Sequence, residues 1–593
     1  MKCIVLFVLL FLSILAGCSS STPEAEKKES RADAALVAEQ TTNHAVVVDQ
    51  AGQSVDKARE RAPQPPPPAP AESLAGAARM KPAGVLGRSA GSAVYEAMPA
   101  SAPPAAWNRE SYNPSRENGF VNAGRDPLST FSIDVDTASY ANVRRFVNGG
   151  NLPPVGAVRI EEMINYFTYD YPAPKGADPI SLSAEIGPSP FHQGYQLARI
   201  GLKARDLDKE KLPPSNLVFL VDVSGSMQDA NKLPLLKQAL PLLIRQLGGR
   251  DRVAMVVYAG GDSVVLPPTA GNRQQEILAA IERLQAGGST HASGGIRTAY
   301  QLARQSFKAG GNNRVILASD GDFNVGVTSR DELARLIEEE RKGGVYLTVL
   351  GLGMGNYHDD TMEILADKGN GNYAYIDSLL EAKKVMVKEL SGTLFALAGD
   401  VKIQVEFNPA RVGAYRLIGY ENRALADEDF RDDAKDAGEI GVGHRVTALY
   451  ELIPAGRAEV PQLDPLKYQT PQAGGAKGSA ELMTVKLRYK PLGENSSRQI
   501  SLPVRAVADE QTSADFRFAA AVAGYGMLLT HSEHLGSFTW EQCLEMARSG
   551  RGTDTEGYRA ELYRLVEASQ LLARQRGEQP DAEPEPQPLQ PLR

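Results

Sequence analysis

One stretch near residue 220 constrains the fold of this chain more than any other. Five apolar residues (217–221) run directly into Asp222, and Ser224 and Ser226 follow on either side of Gly225. Continuous apolar runs are typical of parallel strands covered on both faces, and ligands of open α/β sheets bind at the carboxyl ends of such strands. A carboxylate and two hydroxyl oxygens suit a hard cation such as Mg²⁺. The stretch therefore predicts a buried strand that ends at a cation site.

Two further stretches complete a known pattern. The D-x-S-x-S spacing of Asp222, Ser224 and Ser226 resembles the metal-ion-dependent adhesion site of von Willebrand factor type A (VWA) domains. In that family a second loop supplies a threonine and a third loop an aspartate, and Thr290 and Asp320 are the matching positions here. The resemblance implies that these five residues bind Mg²⁺, with Mn²⁺ or Ca²⁺ as alternatives. It also implies a protein partner whose Asp or Glu completes the shell of the metal.

The resemblance covers a domain that we place at residues 213–398. Strands and helices alternate along it, which predicts a doubly wound α/β sheet. We expect its last helix to span residues 379–397. Asp and Ser also cap helices for purely structural reasons, so a D-x-S-x-S motif without the other two loops would be a weak signal.

The sequence offers little support for catalysis. The one G-x-S-x-G match, residues 87–91, lies in a proline- and alanine-rich stretch and not between a strand and a helix as a nucleophile elbow requires. The sequence contains no H-E-x-x-H motif, and the spacing of His531 and His534 does not match that zinc motif. His291 adjoins Thr290 and is interpreted as an exposed loop residue. We therefore expect a binding protein and not an enzyme. A structural, envelope-maintenance protein in which the metal only stabilises loops is the alternative, and a metal-assisted hydrolase ranks last.

The amino-terminal stretch resembles a bacterial lipoprotein signal. A charged start precedes an apolar run too short for a confident spanning helix, and residues 15–18, Leu-Ala-Gly-Cys, are similar to a lipobox. The resemblance implies removal of residues 1–17, lipid on Cys18 and attachment to a membrane surface. Ser19 after the cysteine favours the outer membrane, facing the periplasm. The inner membrane and the cell surface are the alternatives.

Composition agrees with an exported, lipid-anchored chain. Of three cysteines in 593 residues, Cys3 lies in the signal and Cys18 carries the lipid, so Cys543 has no disulfide partner and is expected to be buried. The formal net charge is −8 without a long basic run, which argues against nucleic acid as a partner. Residues 18–106 and 577–593 are rich in proline and polar residues and are predicted to be a disordered tether and tail.

The two flanks of the central domain show other patterns. Period-two segments predict antiparallel strands within residues 180–207 and again within residues 399–505. We expect the two sets to form one β-sandwich into which the VWA domain is inserted, with the strand near 196–202 beside those near 401–407 and 484–489. Apolar positions spaced by three and four predict helices within residues 506–576.

Residues 107–212 resemble the small region, helices then strands, that precedes the VWA domain in a group of bacterial lipoproteins. Asp134 and Asp136 in this region are conceivable ligands of a second cation. We interpret them instead, together with Thr137 and Ser139, as a turn and helix cap.

Overall fold

The computed structural model describes residues 110–577 except for 115, 134–135, 289–291, 323–329, 390–391, 393, 436, 462–478, 495 and 506–510. The described residues form a central α/β domain, a β-sandwich and a helical region. Both the sandwich and the helical region are built from chain on either side of the central domain. The predicted signal, tether and tail lie outside the described residues, apart from Gly577.

The chain before the central domain forms short strands, two helices and two long strands. These elements are β1 (Val121–Asn122), β2 (Leu128–Ser132), α1 (Ala138–Asn148), α2 (Ile160–Asn165), β3 (Ile180–Pro188) and β4 (Gln196–Ala204). Strands therefore precede the helices as well as follow them. The order expected for this region, helices then strands, is incomplete, because β1 and β2 are short edge strands that add to sheets formed by distant parts of the chain.

Strands and helices alternate in the central domain, as the sequence predicts. Its elements are β5 (Ser215–Asp222), α3 (Leu233–Ile244), β6 (Arg252–Tyr258), β7 (Asp262–Ala270), α4 (Gln274–Glu282), α5 (Ala292–Gln305), β8 (Asn312–Ser319), α6 (Arg330–Arg341), β9 (Tyr346–Leu352), α7 (Asp359–Lys368), β10 (Tyr373–Ile376) and α8 (Leu379–Lys383). The sheet order is β10-β9-β8-β5-β6-β7, and only β7 runs antiparallel to its neighbour. This is the doubly wound fold predicted from the sequence.

Strands β5 and β8 lie side by side at the centre of that sheet. Every residue of both strands is buried, which explains why their central segments, 217–221 and 315–318, are apolar without alternation. The chain winds in one direction from β5 to β6 and in the other from β8 to β9, so the gap beyond their carboxyl ends is the switch point where such sheets bind ligands. Asp222 ends β5, and Asp320 directly follows β8.

The chain after the central domain supplies the rest of the sandwich and three helices. These elements are β11 (Ala396–Phe407), β12 (Val412–Ile418), β13 (Gly438–Gly441), β14 (Arg445–Pro454), β15 (Glu481–Pro491), β16 (Arg498–Arg505), α9 (Ala514–Thr530), α10 (Trp540–Ser549) and α11 (Tyr558–Arg576). One sheet has the order β1-β12-β14-β4-β3, and the other has the order β13-β11-β15-β16 with β2 also paired to β11.

Both sheets of the sandwich thus contain strands from either side of the central domain. Their inner faces share one core, in which Ile200 and Tyr450 of the first sheet join Ile403 and Leu487 of the second. Strand β4 pairs with β3 on one side and with β14 on the other, where Gln196 lies opposite Leu452. The expectation that residues 196–202 pair beside 401–407 and 484–489 is therefore wrong in detail, because β11 and β15 lie in the facing sheet and meet β4 through side chains.

The helical region is also assembled from both flanks. Helices α1 and α2 share a hydrophobic core with α9, α10 and α11, which includes Tyr140, Ile164, Phe518 and Leu562. Helix α9 is buried over most of its length, which is why its sequence is apolar on all sides. No helix among the described residues is both long and apolar enough to span a membrane.

Two helices of the central domain differ from the prediction. The last helix, predicted over residues 379–397, is not continuous, because α8 passes into a π-helical turn over Lys384–Lys388. Gly392 and Leu394 are helical again, and β11 begins at Ala396. Helix α7 was not predicted, although its apolar residues Met362, Leu365 and Ala366 follow a helical spacing.

Candidate cation site

The first site loop leaves the carboxyl end of β5 at Asp222. The Asp222 side chain is fully buried, and its Oδ1 atom accepts a hydrogen bond from the backbone N–H of Ser224 at 2.9 Å. Its Oδ2 atom accepts from the hydroxyls of Ser319 at 2.9 Å and Tyr258 at 3.2 Å. The hydroxyl oxygens of Ser224 and Ser226 lie 3.0 Å apart. The three residues of the D-x-S-x-S motif therefore form one polar cluster.

The second site loop adjoins the first. Thr290 itself lies outside the described residues and stays a predicted ligand. Just before it, the N–H of Gly287 donates to the carbonyl of Val223 at 2.7 Å, and the N–H of Gly225 donates to the carbonyl of Gly288 at 3.0 Å. The chain therefore enters the Thr290 loop directly beside the D-x-S-x-S loop.

The third site loop begins with Asp320, whose side chain is fully buried. Its Oδ2 atom accepts hydrogen bonds from Lys232 Nζ at 3.0 Å and from Asn356 Nδ2 at 3.1 Å. Its Oδ1 atom accepts from the backbone N–H of Asp322 at 3.2 Å. Burying a carboxylate is costly unless hydrogen bonds or opposite charges compensate, and these donors provide that compensation.

Sequence reasoning missed Lys232 and Asn356 as parts of this site. Lys232 immediately precedes α3, and Asn356 lies in the loop after β9, the strand next to β8. The position of Asn356 has a signal in the sequence, because every parallel strand of the sheet delivers its following loop to the same edge. Lys232 has no comparable signal, since a lysine before an amphipathic helix is ordinarily solvent-exposed.

The electrostatics of the site favour a bound cation. Burial raises the pKa of the Asp222 carboxyl to about 6, and the nearby charge of Asp320 adds to the increase. The hydrogen bonds from Ser224 and Ser319 act in the opposite direction and are not sufficient to offset it. The folded chain thus holds two buried carboxylates that repel each other, of which Asp320 is paired with Lys232, and a divalent cation would relieve the repulsion that remains.

The donor atoms present fit a hard cation. Carboxylate and hydroxyl oxygens from Asp222, Ser224, Ser226 and Asp320 match the ligand preference of Mg²⁺, which also retains water molecules in protein sites. Within the described part of the chain, no three or more His, Cys, Asp or Glu side chains are grouped so that they could hold a metal.

The remaining candidates do not join this site. Asp136 accepts a hydrogen bond from the N–H of Tyr373 at 2.7 Å, and Thr137 makes no side-chain bond at the start of α1, so the predicted helix cap is wrong. Asp134 lies outside the described residues. Cys543 is buried in α10 and free of disulfides, as predicted. Cys18, the predicted lipidation site, and His291 also lie outside the described residues.

Comparison with protein families identifies three matching regions. The model of the von Willebrand factor type A domain matches residues 216–388, and a second von Willebrand factor model matches residues 106–199. The model described as the carboxyl-terminal region of the uncharacterized protein YfbK matches residues 392–572. Together these matches span the central domain and both of its flanks.

Individual proteins resemble the chain over different lengths. The uncharacterized protein YfbK of Escherichia coli is 43% identical over 466 residues, which are 77% of this chain and 80% of YfbK. The uncharacterized protein sll0103 of Synechocystis is 30% identical over 185 residues, 31% of this chain and 43% of that protein. A von Willebrand factor type A structure from Catenulispora acidiphila aligns at 15% identity with a TM-score of 0.35, covering 62% of this chain and 87% of that one.

Proposed function

Because the chain belongs to the family of VWA proteins that includes YfbK, we propose that its VWA domain binds a divalent cation and, through it, an acidic group of a protein partner. The cation is Mg²⁺ in this proposal, with Mn²⁺ and Ca²⁺ as alternatives. The ligands are Asp222, Ser224, Ser226, Thr290 and Asp320. The protein acts as an adhesion or scaffolding module and not as an enzyme.

One observation carries the proposal. Two fully buried carboxylates, Asp222 and Asp320, end adjacent parallel strands at the switch point of the sheet, and two serine hydroxyls lie beside the first of them. Such a pair is electrostatically unfavourable by itself and favourable around a divalent cation. The protein supplies only two charged ligands in this proposal, Asp222 and Asp320. We therefore expect the metal to keep a coordination position that an Asp or Glu of the partner can fill.

A structural role for the metal is the second candidate, and a specific observation favours it. The site loops are already joined without a metal, by the bonds between Gly287 and Val223 and between Gly225 and Gly288 and by the ion pair between Lys232 and Asp320. A cation added to such a framework would reinforce it and could leave no ligand position for a partner. Metal-assisted hydrolysis remains the least supported alternative.

We further propose that lipid on Cys18 attaches the protein to the cell envelope, with the outer membrane facing the periplasm as the expected location. The support is the lipobox-like sequence before Cys18 and the composition of residues 18–106. Blocking lipoprotein signal cleavage with globomycin should leave a longer precursor, and labelled palmitate should enter the wild-type chain but not Cys18→Ala. Absence of label from the wild-type chain would refute the anchor.

Calorimetric titration tests the cation and partner proposals separately. Wild-type protein should bind Mn²⁺, and Asp222→Ala should lose that binding while the fold survives, because Asp222 lies at the carboxyl end of β5 and mainly the local charge balance changes. A small rise in the melting temperature of the metal-free variant is consistent with the loss of a buried charge. Asp208→Ala is the matched control, since Asp208 contacts only the exposed Lys211. Unchanged Mn²⁺ affinity in Asp222→Ala would refute the site.

The partner is tested by titrating candidate envelope proteins with and without Mg²⁺. Binding that requires both Mg²⁺ and an acidic residue of the partner supports the adhesion function. Intact Mg²⁺ binding without any effect of Mg²⁺ on a partner that binds elsewhere would favour the structural role.

A further inference from the structure

Lys232 occupies an unusual place for a lysine. Its side chain is only 3% exposed, and its ammonium group lies 3.0 Å from Oδ2 of the fully buried Asp320. The same Nζ atom donates to the side-chain oxygen of Asn356 at 2.8 Å, and Asn356 in turn donates to Asp320. A lysine is rarely this buried without a paired acid, and here the paired acid is a proposed metal ligand.

The backbone around Lys232 is shaped to hold it. Gly353, at the start of the loop after β9, has a φ of +84°, and a Cβ atom at this position would lie 2.2 Å from Cε and 2.6 Å from Cγ of Lys232. Only a glycine leaves the space that the lysine stem fills. Lys232 also makes no side-chain bond to the start of α3, so capping that helix does not explain its burial.

The two carboxylate oxygens of Asp320 have different partners. Oδ2 faces Lys232 and Asn356, whereas Oδ1 accepts only the backbone N–H of Asp322 among the described contacts. The lysine therefore fixes the orientation of the carboxylate through one oxygen while the other stays available to a metal. It also places a positive charge next to the metal position.

From these contacts we propose that Lys232 is a built-in counter-ion of the cation site. Its ammonium group partly compensates the two buried carboxylates when no metal is present, and so preserves the fold of the empty site. Once a divalent cation enters, the same charge opposes the metal and lowers its affinity. This inference rests on the proposed cation site and adds to it a residue that sets the strength of metal binding.

The charges of the site give the direction of both effects. The two proposed carboxylate ligands and Lys232 sum to one negative charge without a metal and to one positive charge with a divalent cation. Without the lysine, the two ligands alone would carry two negative charges in the metal-free site and be neutralised in the loaded site. Asp229, 4.0 Å from Lys232 Nζ, and Asp322, which accepts from Asn356, add negative charge in both states and leave the direction of the change the same. Removing Lys232 must therefore destabilise the metal-free protein and strengthen metal binding, whereas loss of ordinary packing would leave the metal affinity unchanged or lower it.

The test compares Lys232→Met with the matched control Lys237→Met in the full chain. Lys237 lies on the same helix but donates to the backbone carbonyls of Glu282 and Leu284 and not to the site. In EDTA, Lys232→Met should melt below wild type, and it should bind Mn²⁺ about tenfold more tightly, since a unit charge at this range in a partly buried site has an effect of that order. The control should match wild type in Mn²⁺ affinity.

The outcomes separate this inference from the proposed function. If wild-type protein binds no Mn²⁺ at the site, the proposed function fails and Lys232 has no metal to oppose. If wild type binds Mn²⁺ but Lys232→Met binds it equally or less tightly, the counter-ion role is overturned while the site stands.

A variant that fails to fold is also informative. If Lys232→Met does not fold in EDTA, Mn²⁺ should restore its folding, and failure of Mn²⁺ to do so would overturn the inference. Lys232→Arg, which keeps the charge, provides the second comparison. It should bind Mn²⁺ less tightly than Lys232→Met even where its longer side chain disturbs the loop.

Discussion

At the residue scale, Asp222 is a site where burial conflicts with charge. Its carboxyl is fully buried, and its pKa of about 6 lies above the ordinary value of 3.8. At neutral pH the folded state therefore holds a charge that the unfolded state would accommodate more favourably. Groups with strongly shifted pKa values are concentrated at functional sites, where a bound ligand can relieve the unfavourable charge.

Replacing this carboxylate should change stability and binding in opposite directions. Asp222→Asn removes the unfavourable charge, so the free energy of unfolding in EDTA at pH 7 should rise by about 1–2 kcal/mol. The hydroxyls of Ser319 and Tyr258 can accept as well as donate, and hence tolerate the amide. Denaturant titration measures this change, and Mn²⁺ titration of the same samples should find binding lost.

The pH dependence provides the control for that prediction. A folded-state pKa raised above the unfolded value makes the metal-free wild type lose stability as the pH rises from about 4 to about 6. The difference between wild type and Asp222→Asn should therefore vanish near pH 4. A variant less stable than wild type at pH 7 would contradict the account of Asp222.

At the element scale, the first described residues of the chain form hydrogen bonds to the loop after β9, which carries Asn356 of the cation site. Glu110 accepts a hydrogen bond from the N–H of Gly355 at 2.7 Å and two from Arg145 of α1 at 2.9 and 3.0 Å. Ser111 exchanges backbone hydrogen bonds with the chain at Tyr357 and Asp359. The loop that delivers Asn356 to Asp320 is thus held by the segment that follows the predicted tether.

Glu110→Gln should weaken the attachment of this segment to the loop after β9. Arg145 would lose its carboxylate partner in a site where the Glu110 side chain is only 3% exposed, and the free energy of unfolding should fall by about 2–4 kcal/mol. Glu459→Gln is the control, because Glu459 pairs with Arg457 at the surface and should have little effect. If urea titration gives both variants the same free energy of unfolding, the contacts of Glu110 with Arg145 and Gly355 do not stabilise the protein.

The elements that sequence predicted well are the ones with a strong local pattern. The central segments of β5 (217–221) and β8 (315–318) are apolar without alternation because both faces of the sheet are covered. The D-x-S-x-S motif places Asp222, Ser224 and Ser226 close together by spacing alone. Lys232 and Asn356 could not be assigned in this way. Their contacts with Asp320 span 88 and 36 residues of sequence, and such contacts depend on how the loops fold over one another.

At the scale of the whole molecule, the flanks hold the central domain from both sides. Arg144 of α1 pairs with Asp377 at 2.6 Å and Glu381 at 2.7 Å in the central domain, and with Glu561 of α11 at 3.0 Å. Sequence patterns predicted a sandwich shared by the flanks but not the specific partner of β4. Period-two alternation identifies the buried face of a strand and leaves its neighbours undetermined, because several antiparallel strands carry the same alternation.

Fragments of the chain should show that the central domain folds by itself and that the carboxyl-terminal flank does not. Residues 213–398 contain a complete six-stranded sheet and should fold alone. Residues 399–577 should not, since without β3 and β4 the strand β14 becomes an exposed edge beside apolar side chains. Adding residues 107–212 as a separate chain should restore protection of β14 in amide exchange. Strong protection of β14 in residues 399–577 alone would contradict the shared sandwich.

A divalent cation is proposed to bind between Asp222 and Asp320. Anomalous diffraction at the manganese edge, from crystals of the protein grown with Mn²⁺, locates such an ion. We expect an anomalous peak bounded by the side chains of Asp222, Ser224, Ser226 and Asp320, with Thr290 completing the protein ligands. Crystals that bind no Mn²⁺ there, or that bind it only at surface carboxylates elsewhere, would show that these residues do not form a cation site.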